Sequence, residues 1–155
     1  MMGAMFSPFM MAAVITAGLY AGFMLTFLIA IMPGLGVLPD DMFTATMRRF
    51  NEKAPGPVFL VVFLGVVAFP AAALLTSGGR DGGERLLVAG ALACAVVSHL
   101  ITIAGNIPLN NALAASEGGD DHAARAAFEP RWNRLHRIRT VVTIASFALL
   151  AAVAL

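Results

Sequence analysis

The sequence predicts an all-α fold: an integral membrane four-helix bundle, read as one domain over residues 1–155. Two observations carry that prediction. Hydrophobic residues make up 59% of the chain and charged ones 12%, with mean hydropathy +0.85; soluble domains run near 45–50% apolar and about 25% charged. The apolar residues also gather into four runs, each near the ~20 residues a helix needs to cross bilayer hydrocarbon.

The first run covers about residues 9–32 and closes at Pro33-Gly34. The second, about 57–76, opens on Pro57 and closes at Ser77-Gly78-Gly79. The third covers about 84–107 and the fourth about 139–155. Pro130 suits the first turn of a helix, so the last helix is expected to start near 130, ahead of the membrane. Small residues at four-residue spacing (Ala13, Ala17 and Ala21; Gly18 and Gly22; Gly90 and Cys94) mark faces where helices can approach closely. The segment from Met1 to Pro8 has no Lys or Arg and the first run is too long for a signal core, so it reads as a retained span. Cys94 is the single cysteine, which rules out an intramolecular disulfide and fits packing inside an apolar run.

Charge placement sets the expected topology. The first loop carries Arg48, Arg49 and Lys53, and the third carries Arg125, Arg131, Arg134 and Arg137 with Arg139 at its membrane edge. These are eight of the ten basic residues, and both loops share a side in any four-span arrangement. Basic loops stay inside, so the expectation is an inner (plasma) membrane protein with loops one and three cytoplasmic and both termini outside. Nearly every polar residue capable of chemistry then converges on that one end.

Two polar clusters stand out. In the third run, His99, Ile103, Asn106 and Asn110 fall on one helical stripe with Thr102 close by. In the fourth, Trp132, His136, Arg139 and Thr143 form a second stripe, and Asn51 comes from the first loop to the same end. Facing each other, the stripes would line a pocket of imidazoles, a guanidinium and amides. Each residue has two readings. His99 is either a neutral interhelical link or a base or ligand; His136 and Arg139 either meet lipid phosphate or serve the pocket. Asn106 and Asn110 flank Pro108, so their amides either repair a broken helical ladder or donate to a bound oxyanion. Trp132 is an interfacial anchor or a substrate contact. His122, beside Asp120 and Asp121, reads as solvated.

Several classes lack support. No basic block interleaved with aromatics suggests nucleic acid. No carboxylate lies mid-span for a proton or cation relay, and the common soluble catalytic motifs are missing.

The chain resembles the anthrone oxygenase family of small four-span membrane proteins. The resemblance rests on Met32-Pro33-Gly34-Leu35, Arg49-Phe50-Asn51, Asn106-Ile107-Pro108-Leu109-Asn110, and Trp132 with His136, Arg139 and Thr140. The chain departs from the family's frequent Asn at His136. The resemblance implies oxidation of an anthrone-like aromatic or polyketide substrate by dioxygen, without a cofactor. His99 or His136 would then be a base, with Arg139, Asn106 and Asn110 stabilising the enolate and Trp132, Thr102, Thr143 and Asn51 contacting substrate. Two other readings stay open: a non-catalytic lipid- or quinone-binding module, and a metal-binding protein using His99, His136 and Met24 or Met32. The expected partners are membrane lipid and a hydrophobic small molecule, with a homo-oligomer left open.

Overall fold

The computed structural model describes residues 8–76 and 81–154. Residues 1–7, residues 77–80 (where the second run is expected to close) and Leu155 lie outside the described residues. Within them the chain is helical, with no strand. The helices are α1 (Pro8–Gly36), α2 (Asp40–Lys53), α3 (Pro57–Leu75), α4 (Gly82–Ala115) and α5 (Asp121–Ala154). All except α2 are long and apolar enough to cross a membrane. α1 packs on α3 and α5, and α4 packs on α5 and α3, so the four close into a ring.

α1 and α4 run past the prolines expected to end them, and for the same reason. In α1 a π-helical turn, Phe27–Ile31, precedes Pro33, and the Met32 N–H bonds back five residues to the Phe27 carbonyl. In α4 the turn is Thr102–Asn106, ahead of Pro108, with the Ile107 N–H on the Thr102 carbonyl. A proline in an ordinary helix removes a donor and clashes with a carbonyl one turn back. The wider turn shifts that register, so the helices continue to Gly36 and Ala115.

α5 starts at Asp121, well before the expected start near 130, leaving Pro130 in its interior. Asp120 explains this: its carboxylate accepts the Ala123 N–H at 3.2 Å and caps the helix. The link from α4 turns at Gly118, whose φ of +83° suits a residue without a Cβ. Asp81 caps α4 by accepting the Glu84 N–H at 2.8 Å.

α2 falls where the sequence reading placed a polar loop. It buries Phe43, Thr44, Met47 and Arg48 on one face, with Asp40 and Asp41 in its first turn and Lys53 in its last, which complements the helix dipole. It lies across the end of the bundle, against α4 and α5. Arg48 fastens it there, donating to the Leu113 carbonyl (3.0 Å), Ser116 Oγ (3.0 Å) and Asp121 Oδ1 (3.3 Å). Arg125 reaches back from α5 to the Gly36 and Leu38 carbonyls at 2.8 and 2.7 Å and to Asp40 at 3.0 Å. The hydrogen bond with His122, with Arg125 beside it, holds the Asp40 carboxyl below the usual aspartate range.

Small residues set the helix spacing. Ala13, Ala17 and Ala21 are buried, and a Cβ on Gly18 would stand 3.1 Å from Phe147. The tightest approach is at Gly105, where a Cβ would come within 2.7 Å of Leu135, so α4 and α5 close together directly beside the second π turn. Gly22 has open space beside it, and Cys94 is partly exposed.

Candidate functional site

The π turn of α4 orders the site. Thr102 and Asn106, its first and last residues, are both buried in the bundle, while Ile103 between them is 55% exposed. The expected stripe of His99, Ile103, Asn106 and Asn110 therefore does not form. An ideal helix aligns those residues; the wider turn sends Ile103 outward and brings Thr102 into its place. On α5 the spacing is undisturbed, and Trp132, His136, Arg139 and Thr143 are all buried on one face.

Between these faces lies a cavity of about 180 Å³ near the α2 end of the bundle. Its walls are the rings of Phe23 and Phe27 from α1, Phe50 from α2, Phe59 and Phe63 from α3, and Trp132. Its polar lining comes from Asn51, Thr102, Asn106, Asn110 and Arg139. Arg139 is fifteen residues before the end of α5, about 22 Å along the axis from that end. The cavity thus lies well inside the length of α5, towards the α2 end of the bundle.

Arg139 dominates the electrostatics. It is 7% exposed, and among the described residues no carboxylate pairs with it. Its Nε donates to His136 Nδ1 at 3.1 Å and its Nη1 to Thr102 Oγ1 at 3.0 Å. The guanidinium carbon stands 5.4 Å from the centre of the Trp132 ring. Nη2 has no hydrogen-bond partner among the described residues, and Arg139 lines the cavity. Burying a cation without a counter-charge is costly, so a negative charge in the cavity would be stabilised there.

His136 is part of that mounting. A guanidinium only donates, so Nδ1 accepts and the ring proton sits on Nε2, which donates to the Met24 carbonyl at 3.0 Å. The ring stacks on Trp132 at 4.7 Å. Both nitrogens are engaged, and His136 does not line the cavity.

His99 is placed differently. Its Nδ1 faces the Ala95 carbonyl at 2.8 Å and its Nε2 the Phe63 carbonyl at 2.7 Å, with the ring stacked 3.9 Å from Phe63. It ties α4 to α3 and leaves no lone pair directed at the cavity. The two histidines spend their nitrogens on different partners, and no cluster of three His, Cys, Asp or Glu side chains occurs among the described residues. Thr143 lies beneath the site, sharing a 2.8 Å hydrogen bond with Ser98.

The amides divide their groups. Asn110 accepts the Trp132 indole N–H through Oδ1 at 3.0 Å. Asn106 turns its Nδ2 to the Trp132 carbonyl at 3.4 Å, and its Oδ1 is buried without a partner. Asn51 Nδ2 is likewise buried and unpartnered.

The sequence profile of the anthrone oxygenase family matches residues 43–149. The chain belongs to the anthrone oxygenase family. The matched region runs from α2 through most of α5 and holds every polar residue of the cavity, while α1, which supplies Phe23, Met24 and Phe27, lies outside it. No curated protein and no solved structure matches the chain.

Sequence reasoning missed Tyr20 and Ser98. Tyr20 is 1% exposed with its hydroxyl unpartnered, packed 5.9 Å from both Phe63 and His99. Being the single tyrosine, and inside a span, was its available signal.

Proposed function

We propose that the protein binds a flat aromatic ketone of the anthrone type, holds its ionised oxygen on Arg139, and directs its oxidation by dioxygen to the quinone. The observation that carries this reading is the buried, carboxylate-free Arg139 guanidinium on an aromatic-walled cavity. An anthrone is a carbon acid. Losing a methylene proton gives an anion whose charge lies largely on oxygen, and a preorganised guanidinium in a low-dielectric site stabilises that charge. No histidine offers the cavity a free lone pair, so the site favours ionisation by stabilising the anion, and the proton leaves to water at the interfacial end.

The carbanion then adds to dioxygen and, after taking up a proton, gives a hydroperoxide at the former methylene carbon. Loss of water from it leaves the quinone carbonyl. One oxygen atom ends in the product and the other in water; the methylene carbon loses four electrons and dioxygen gains four. Arg139 and its neighbours position the anion and hold off bulk water. In this reading His136 fixes Arg139, Thr102 fixes its other arm, and the phenylalanines and Trp132 clamp the ring faces. The basic end, with α2 and the loops, faces the cytoplasm and the hydrophobic substrate arrives from the membrane.

Dioxygen uptake with anthrone, measured on the detergent-purified protein above the spontaneous rate, tests the proposal. Wild-type protein should accelerate uptake with quinone appearing in step, and Arg139→Met should fall by about a hundredfold or more, as when an oxyanion donor is removed. Equal rates for the two proteins would overturn it.

A further inference from the structure

Asn106 lines the cavity and is 1% exposed, yet its Oδ1 is a buried acceptor without a partner. The amide's orientation follows from its neighbour. Nδ2 faces the Trp132 carbonyl, and the opposite orientation would set two oxygens against each other. The sequence offers Asn106 two roles, repairing the helical ladder or donating to an oxyanion; its Nδ2 is directed at the Trp132 carbonyl, and its acceptor is what remains.

A buried acceptor without a donor is destabilising, so it favours a ligand that brings one. Three other polar groups at the cavity do not fill this role. Arg139 can only donate, and Asn110 has committed its oxygen to the indole. Thr102 gives its hydroxyl proton to the Ser98 carbonyl at 3.0 Å while accepting from Arg139. Asn51 has its Nδ2 buried and unpartnered and makes no side-chain hydrogen bond among the described residues, so its amide can turn either atom to a ligand. An oxyanion would therefore go to Arg139, Asn51 or the Asn110 Nδ2, and the Asn106 Oδ1 is the fixed, buried acceptor left without a proton. On an otherwise apolar aromatic ligand, a hydroxyl supplies it.

We propose that Asn106 determines specificity by accepting a hydrogen bond from an aromatic hydroxyl of the ligand, so that the cavity selects a hydroxylated aromatic ketone over its O-methyl ether or unsubstituted parent. The inference rests on the cavity being the aromatic-ketone site, and it adds which substituent that site reads. A site built around a substrate hydroxyl discriminates strongly against analogues lacking it, because its own buried group is left unpaired.

The test uses anthrone, its monohydroxy derivatives and their methyl ethers. Each is titrated into the intact detergent-solubilised protein under argon, where no oxidation competes. Trp132 is the single tryptophan and lines the cavity, so its fluorescence reports occupancy. Wild-type protein should bind at least one hydroxyanthrone about tenfold or more tightly than its methyl ether, and in Asn106→Leu that ratio should fall below about twofold. Asn106→Ala, which leaves space instead of filling it, should lose the preference in the same way and guards against a misfolded leucine variant. Equal binding of hydroxy and methoxy ligands by the wild type, or a preference that survives both substitutions, overturns the role of Asn106. A preference that vanishes with Asn106 in a protein that shows no dioxygen uptake supports this inference and removes the oxygenase reading. Failure of every compound to perturb Trp132 overturns both.

Discussion

Arg139 Nε donates to His136 Nδ1 at 3.1 Å, and His136 passes the constraint on by donating from Nε2 to the Met24 carbonyl of α1. This relay joins the α5 cation to α1 and fixes the direction of the guanidinium. It makes His136 a positioning residue, acting through Arg139.

His136→Ala should therefore lower kcat by about tenfold or more while the protein still binds aromatic ligand, because Arg139 remains but is free to swing. His136→Asn retains an acceptor and should recover part of the loss. Steady-state dioxygen uptake alongside Trp132 fluorescence separates the two effects; an unchanged kcat in His136→Ala would remove the positioning role.

His99 should behave as an interhelical link. His99→Ala loses the contact with the Phe63 carbonyl and should cost on the order of 1 kcal/mol, as membrane interhelical hydrogen bonds do. Turnover per folded molecule should stay within about twofold of the wild type. Thermal melting and activity on the same preparation decide between this and a catalytic role, which would show as lost turnover at unchanged stability.

Arg48→Met should be among the more damaging substitutions outside the cavity. It takes a donor each from the Leu113 carbonyl, Ser116 and Asp121 and loosens α2 from α4, and losing such charge-assisted hydrogen bonds should cost about 1.5–3 kcal/mol. Loss of α2 also exposes the cavity wall formed by Phe50 and Asn51. Faster proteolysis within α2, followed by mass spectrometry, reports that release; a cleavage pattern like the wild type's would contradict it.

The contact at Gly105 predicts a coupled pair. Gly105→Ala places a methyl group 2.7 Å from Leu135 Cδ1 and should cost roughly 1–3 kcal/mol from overpacking. Leu135→Ala opens the space, so the double variant should be more stable than the sum of the two single losses predicts. Additive changes in melting behaviour would show that α4 and α5 do not meet there.

The four spans were legible because twenty apolar residues in a row have few other uses. α2 was not, because its apolar positions Phe43 and Met47 sit in a short, charged stretch that also fits a loop. The lengths of α1 and α4 were hidden by Pro33 and Pro108, which read as stops until the π turns show how the helices absorb them. The same turn defeated the ideal-helix stripe through Ile103. Spacing did bring Asn51, Thr102, Asn106, Asn110, Trp132 and Arg139 to one end, and all of them line the cavity. What spacing cannot encode is the partner of each ring nitrogen or amide atom. For that reason the two histidines, alike in sequence, differ in the structure: one orients a cation and the other ties two helices together.

The central claim is that the cavity stabilises an anion on Arg139. The most direct measurement is a spectral titration of a bound naphthol whose phenolate absorbs apart from the neutral phenol, compared between wild type and Arg139→Met. A guanidinium at the cavity should lower the apparent pKa of the bound phenol by about one unit or more relative to the free compound, and Arg139→Met should abolish that shift. A bound naphthol that titrates like the free one in the wild-type protein, or a shift that persists without Arg139, would contradict the account.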